Sequence, residues 1–482
     1  MTAAGGGVPA DDVALLAARA EAARPPSQKL PPGQWAKKNL FDGFANVIFT
    51  VVFGFAGLAV LFFLAVWVID ADYEIVRRNL RIFMIGQFPK DELWRPAVSL
   101  LVVMTGVGFT SGALARNAHD LALEQDLPTE KSSWVSLIRR FWAVIAVVIF
   151  FVSFARTLTP YLLVAGAFAL LVAGRELGWA INAAVRARAI YIGATIFLLS
   201  MLVIAGTSSL GGLSLGLVTL FWVAGEVGRR DLPGGIVGLT IRWGIALVVA
   251  IVVYAIEVAI PYDGFGWENW GGLHITLFTT VLGISLGMPF GILLALGRKS
   301  DLPVMKTASV LFIEFIRGVP LISLLLFSNL MLPLFLPIDF ERPADLTLTI
   351  VVITGFSAAY IAEIVRGGLQ AVPKGQTEAA QASGMSAGSV QRLIVLPQAL
   401  RAVIPAMVGQ FIALFKDTTL LQIIGILEFL RVTDVANVQP DFLGKGLAPV
   451  TYLFVSLGYW AFAYTMSKES RRLETKLGVG VR

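Results

Sequence analysis

The feature that most restricts this chain is a series of long apolar runs separated by short breaks of charge, Gly and Pro. The first reaches from Phe44 to Ile69 without a single charged residue. A helix of about 20 apolar residues crosses the hydrocarbon of a bilayer. In that medium only helices and closed barrels satisfy every backbone polar group. The runs here are continuous rather than alternating, so the predicted fold class is an all-α polytopic membrane protein. Spans are expected near 44–69, 97–114, 140–156, 158–174, 189–207, 210–226, 236–260, 273–297, 306–336, 346–367, 402–427 and 447–466. At 57% hydrophobic and 15% charged residues, with mean hydropathy +0.78, the chain is too apolar for a soluble domain, which is about a quarter charged.

The net charge of +6 does not indicate nucleic acid, because the Lys and Arg sit in short clusters between the runs. That pattern is membrane topology. With the N-terminus in the cytoplasm, Lys37 and Lys38, Arg139 and Arg140, Arg186 and Arg188, Arg229 and Arg230, Arg298 and Lys299, and Arg471 and Arg472 all fall on the inner side. One loop disagrees. Asp70 to Pro96 carries Arg77, Arg78, Arg81, Lys90 and Arg95 yet counts as external, as an amphipathic segment on the interface would, unless one of the closely spaced spans 140–156 and 158–174 is miscounted. Parity from the C-terminus fixes the last five spans either way. The absence of Cys removes disulfides, thiolate metal sites and Cys nucleophiles. His119 and His274 lie far apart and read as structural, so no metal site is expected.

Three regions follow. Residues 1–39, rich in Ala, Gly and Pro, are expected to be disordered apart from a short helix around Asp12 to Ala23. Residues 40–260 form an accessory bundle of about seven helices. The composition shifts near Pro261, where the stretch Tyr262 to Gly272 holds two Trp and no base. Beyond it the region 261–477 has longer spans that begin to carry charge.

The sharpest local feature is the polar interruption at 373–400 between two spans. Pro373 starts a short helix of good formers, Gly384 stops it, and Ser386 caps a second helix ending around Leu396 and Pro397. Such a helix, turn and helix is ordinarily a solvated connection. Here Glu378, Ala379 and Ala380, then Gly384, then Ile394, Leu396 and Pro397 have the spacing of a known motif, and the segment resembles the EAA loop of ABC importer permeases. The likeness covers roughly 272–477, through LFIEFIRGVPL at 311–321, SAAYIAEIVRGGLQAVPKGQ at 357–376, LPQALRAVIPAM at 396–407 and FKDTTL at 415–420. These are similar to the polar and general L-amino-acid branch, especially its M-type subunit, as are NLFDGF at 39–44 and WRPAVSL at 94–100.

The resemblance implies the transmembrane domain of a type I importer, with a core of about five helices, in the bacterial inner membrane. It implies a second, homologous permease in a heterodimer, an ABC ATPase dimer bound to the EAA loops, and a periplasmic solute-binding protein delivering an L-amino acid. ATP and Mg would sit on the ATPase and no cofactor on this chain. Consistently, Gly297, Arg298, Lys299 and Ser300 lack the glycine-rich cradle of a Walker A.

Charges inside spans are costly and mark function by default. Glu314 with Arg317, and Glu363 with Arg366, are each three apart on a helix face and can pair. Two roles stay open for them: packing or gating, and contact with a zwitterionic substrate. For Lys416, Asp417 and Thr418, nearer the middle of a span, substrate path and structural pair are both open. Gly283, Gly287 and Gly291 share one face and are expected to pack against another helix. Two other classes compete: a secondary transporter, which would be expected to show inverted repeats, and a membrane enzyme, disfavoured because no nucleophile and base arrangement is visible. A permease for another small polar solute is the nearer alternative.

Overall fold

A computed structural model describes residues 31–124, 131, 133–205, 269–335 and 345–477. The expected spans 210–226 and 236–260 and the expected helix at 12–23 lie outside the described residues. The chain divides into two units, Met1–Asp72 and Tyr73–Arg482.

In the first unit, α1 (Pro32–Leu40) occupies the end of the tail expected to be disordered. Proline at its start pre-sets φ without losing a helical hydrogen bond, and the Asn39 side chain donates to the Trp35 carbonyl at 2.8 Å. The long apolar α2 (Phe44–Asp70) follows, with the Thr50 hydroxyl donating to the Leu40 carbonyl at 2.7 Å.

The second unit opens with α3 (Glu74–Ile85), inside the loop whose charge disagrees with topology. It is amphipathic, but its apolar face does not meet lipid: Ile75, Val76 and Phe83 are fully buried within the protein. Arg78, Arg81 and Arg95 of this loop have polar partners within the protein. Arg78 pairs with Glu74 and with Asp441, both at 2.8 Å, Arg81 donates to the Phe88 carbonyl, and Arg95 pairs with Glu92 at 2.7 Å. Asn79 and Gln439 exchange hydrogen bonds of 3.1 and 2.7 Å across the same contact.

Next come α4 (Trp94–Glu124), α5 (Trp134–Arg140), α6 (Trp142–Ser153), α7 (Thr159–Ala180), α8 (Ala183–Arg186) and α9 (Ala189–Ala205). The run at 140–156 holds the single helix α6, and α5 before it meets α6 at 75°. α4 and α7 interlock through two reciprocal glycine pairs that sequence reasoning missed. A Cβ on Gly108 or Gly112 would stand 2.2 Å from the Leu171 carbonyl oxygen or 2.0 Å from that of Arg175. One on Gly174 or Gly178 would stand 2.5 Å from the Thr105 oxygen or 2.1 Å from that of Phe109. Four-residue glycine spacing on both helices lets the backbones themselves touch, the closest packing available in lipid.

The remaining helices are α10 (Gly272–Arg298), α11 (Pro303–Gly318), α12 (Leu321–Leu326), α13 (Asp345–Ala371), α14 (Lys374–Ala382), α15 (Ala387–Val390), α16 (Leu396–Asp417), α17 (Arg431–Asn437) and α18 (Ala448–Leu477). The run expected as one span at 306–336 is broken, because α11 and the helical stretch beginning with α12 meet at 103°. Pro320 has no N–H and its ring drives Val319 into an extended conformation, φ −106° and ψ 132°. Among the described residues six helices are long and apolar enough to cross a membrane, or eight if each bent pair makes one crossing.

α10 packs along α13, where a Cβ on Gly283 would lie 2.6 Å from Ile353, on Gly287 2.8 Å from Ser357, and on Gly291 2.7 Å from the Ala358 carbonyl oxygen. The first turn of α10 is fixed by the segment before α17. Gly272 N–H donates to the Leu427 carbonyl at 2.8 Å, and Phe429 N–H to the Thr276 hydroxyl at 3.1 Å. Between these bonds sits Glu428, fully buried. Its carboxylate accepts from Leu430 N–H at 2.7 Å, Arg431 N–H at 2.6 Å and the Tyr459 hydroxyl at 3.1 Å, capping α17 and tying it to α18.

Two outcomes are expected. Gly112→Ala forces a methyl against the Arg175 backbone, and overpacking of this kind costs about 1–3 kcal/mol; a lowered melting temperature of the purified chain in detergent is the measurement. For Glu428, burial pushes the carboxyl from 4.5 up to about 7 against the opposing pull of its hydrogen bonds. The folded state therefore keeps a proton that the unfolded chain has released. Stability from this group is complete below pH 4.5 and is lost as pH rises through 7, a swing of about 3 kcal/mol. Melting temperature should decline between about pH 5 and pH 8, and Glu428→Gln should flatten that decline.

Candidate coupling loop and intramembrane ion cluster

The interruption between α13 and α16 folds as a compact elbow. Pro373 precedes α14, the chain reverses at Gly384 with φ +81°, and the Ser386 hydroxyl accepts from Ser389 N–H at 3.3 Å to cap α15. A left-handed φ of this size is one that glycine adopts without strain. Glu378, Ala379 and Gly384 are exposed, and Ala380 is buried. The second helix does not end at Pro397. It passes from α15 through a π-helical turn, Gln391–Val395, directly into α16, where Pro397 occupies the first turn. The wider turn at 391–395 is where the helical hydrogen-bond pattern changes register just before a residue that cannot donate. Ile394 and Leu396 are half-buried and Pro397 exposed.

The elbow's buried residues belong to one hydrophobic cluster that runs into the membrane helices. Ala380 on α14, Val390 on α15 and Val395 in the π turn pack with Val365 and Leu369 of α13 and Ala399 of α16, and the same cluster reaches Leu294 of α10 and Ile313 of α11. Glu378 and Ala379 thus ride on a body that packs on four long helices.

Beside this cluster four of the sequence-predicted charges come together, with one that sequence reasoning missed. Glu314 pairs with Arg298 at 2.8 Å. Glu363 is shared: Arg366 donates to it through Nε at 3.0 Å, Arg317 approaches it at 3.4 Å and Arg298 at 3.6 Å. The intrahelical pair therefore forms on α13, while on α11 Arg317 turns to Glu363 of the neighbouring helix and leaves Glu314 to Arg298. Three guanidinium groups face two carboxylates across the ends of α10, α11 and α13. Arg298 closes α10, and its signal in the sequence is only the basic end of an apolar run.

Lys416, Asp417 and Thr418 do not join this network. α16 ends at Asp417 and continues as a 3-10 turn, Thr418–Ile424. Lys416 is exposed and Asp417 half-buried, so the deep burial expected for all three holds for Thr418 alone, whose hydroxyl donates to the Phe415 carbonyl at 2.7 Å. His274 lies among Trp270 and Phe278, and His119 against Trp179. No group of three potential metal ligands occurs among the described residues.

The family model described as binding-protein-dependent transport system inner membrane component matches residues 287–464. The inner membrane amino-acid ABC transporter permease protein YhdY of Escherichia coli (strain K12) is 46% identical over 213 residues, 44% of this chain and 57% of that protein. The glutamate/glutamine/aspartate/asparagine transport system permease protein BztC of Rhodobacter capsulatus is 43% identical over 253 residues, 50% of this chain and 57% of that protein. The chain thus spans a little over half the length of these two relatives. The probable glutamine ABC transporter permease protein GlnP of Bacillus subtilis (strain 168) is 35% identical over 208 residues, 43% of this chain but 92% of that protein. With a whole permease of that kind matched nearly end to end, the chain belongs to the family of binding-protein-dependent transport system inner membrane components.

Proposed function

We propose that this chain is the permease subunit of an ATP-binding-cassette importer that carries L-amino acids, polar or broad in range, across the inner membrane. The observation that carries the reading is the elbow at 373–400: Glu378 and the exposed Ala379 lie on a short helix whose buried side is continuous with the cores of α10, α11, α13 and α16. Such a surface fits a partner that does work on it. In this reading the elbow and both chain termini are cytoplasmic, and an ABC ATPase dimer binding ATP and Mg pushes on the elbow. A second, homologous permease completes the pathway, and a periplasmic solute-binding protein supplies the substrate. Support for amino acids comes from the names of the relatives and from the zwitterion-complementary charges at the helix ends.

The ion cluster acts as a gate at the inner end. Closure of the ATPase dimer moves α13 and α16 as a body, and Glu363, held by three arginines, must change partners if α10 and α11 move relative to α13. Pairing lost at one contact can be regained at another, so the transition is between two paired states and avoids the large penalty of an unpaired ion in low dielectric.

Glu378→Lys should reduce copurification of the ATPase at least about tenfold, since reversing a charge in a complementary interface costs several kcal/mol, while the variant chain still inserts and melts as the original does. Normal assembly and uptake in that variant, or uptake by the chain alone in ATP-free vesicles, would overturn the reading. Glu363→Gln should leave the complex assembled but raise ATP hydrolysis without substrate by roughly three- to tenfold, as expected if about 1 kcal/mol of gating preference is lost, and lower uptake per ATP in proteoliposomes.

A further inference from the structure

α18 carries a stripe that changes character along its length. Trp460, Tyr464, Lys468, Arg472 and Thr475 recur every three or four residues and so share one face. The aromatic part is built with α6: Trp142 lies 6.0 Å from Trp460 and 5.9 Å from Tyr464, and those two rings stack at 5.3 Å. Both tryptophans remain 45% exposed. Immediately beyond them Lys468, Arg471, Arg472 and Thr475 line an open notch of about 390 Å³.

The end of α5 completes the notch's surroundings. Lys468 donates to the carbonyls of Arg139 and Arg140 at 3.3 and 3.2 Å, occupying the free C-terminal acceptors of that helix. Arg140 is held by Glu469 through two hydrogen bonds, and Arg472 lies 3.7 Å from the same carboxylate. The other nearby acid, Glu474, accepts from the Ser470 hydroxyl. Arg139 and Arg471 are exposed and have no carboxylate partner among the described residues. Five bases therefore gather around two carboxylates, of which Glu469 already serves two of them.

We propose that this notch binds the phosphate of an anionic phospholipid headgroup, with Arg139, Arg471 and Arg472 around the phosphate and the Trp142, Trp460 and Tyr464 cluster seated at the level of the glycerol and upper acyl chain. The excess charge is positive, which calls for an anion, and two observations select a lipid among anions. The basic residues continue, on the same helix face, an exposed aromatic patch of the kind found at membrane interfaces. The basic cluster lies just past the apolar run expected from the sequence to cross the membrane at 447–466, a position where anionic headgroups concentrate. The inference goes beyond the transport reading and survives its failure, since it needs only that α18 sits in a membrane. The site would anchor α18 and fix the depth of the turn from α5 to α6.

Native mass spectrometry of the full-length complex tests it, with phosphatidylglycerol and phosphatidylcholine titrated separately. The unaltered protein should retain phosphatidylglycerol at about tenfold lower concentration than phosphatidylcholine, and Arg139→Gln with Arg471→Gln should cut phosphatidylglycerol retention about fivefold while leaving phosphatidylcholine unchanged. Both side chains are exposed and without a carboxylate partner, so the double variant should keep its melting temperature in phosphatidylcholine, and Arg471→Lys should keep the selectivity. Equal retention of phosphatidylglycerol by the double variant, or equal loss of both lipids, would refute the site. So would displacement of phosphatidylglycerol by millimolar inorganic phosphate, which would make it a site for the free anion.

Discussion

The contact on which the half of the chain from α10 onward depends is the approach of α10 to α13 through Gly283, Gly287 and Gly291. At each of these positions a single added carbon would collide with α13, at Gly291 with the Ala358 backbone itself. No hydrophobic force drives two apolar helices together in lipid, so association relies on close van der Waals contact and on the few polar groups available. The glycine face supplies the contact and thereby sets where the ends of α10 lie. Had this face been leucine, Arg298 would stand farther from Glu363, and the shared ion cluster would lose one of its three cations.

Because α10 is held so closely, the buried cluster around α13 can extend without interruption from Leu294 to the elbow at Ala380 and Val395. Densely packed interiors transmit displacement because they have little free volume in which to absorb it. The elbow is short, bounded by Pro373, capped at Ser386, and joined to α16 by a helical turn instead of a loop. These properties suit a lever. If the elbow binds an ATPase as proposed, a flexible loop carrying the same Glu378 would pass less of that partner's movement to the helices.

The architecture is legible in the sequence wherever one property dominates. Runs such as Phe44 to Ile69 leave no choice but a span, and the positions of Pro373, Gly384 and Ser386 fix the elbow's turns locally. Legibility falls where the outcome depends on partners far along the chain. The segment around Ile75 and Phe83 has the pattern of an interfacial helix, and only the presence of α10 and α18 beside it turns that face inward. Glu428 in EFLR resembles any loop acid until Leu427 and Phe429 are seen to pair with the start of α10. The break at Val319 has a local cause in Pro320, but the apolar run across it hides the signal. Pro397 misleads in the other direction, since a proline that ends most helices is accommodated here beside a π turn. Gly108, Gly112, Gly174 and Gly178 have the same four-residue spacing as the α10 face, but the helix that each pair meets lies far along the chain, and nothing local in the sequence names it.

Carboxylates of opposite circumstance stand near the two ends of α10, Glu428 in the segment bonded to its first turn and Glu314 with Glu363 around Arg298 in its last. At its start, Glu428 is wholly enclosed, holds backbone N–H groups of a short helix and the Tyr459 hydroxyl, and has no guanidinium partner among the described residues. At its end, Glu314 and Glu363 remain partly exposed and are surrounded by three arginines that can exchange. An enclosed carboxylate with fixed donors loses much if any donor moves, because its desolvation is not recovered. A partly exposed cluster with surplus cations can be rearranged at small cost. The two ends of α10 therefore differ in what a displacement would cost, more beside Glu428 and less beside Arg298.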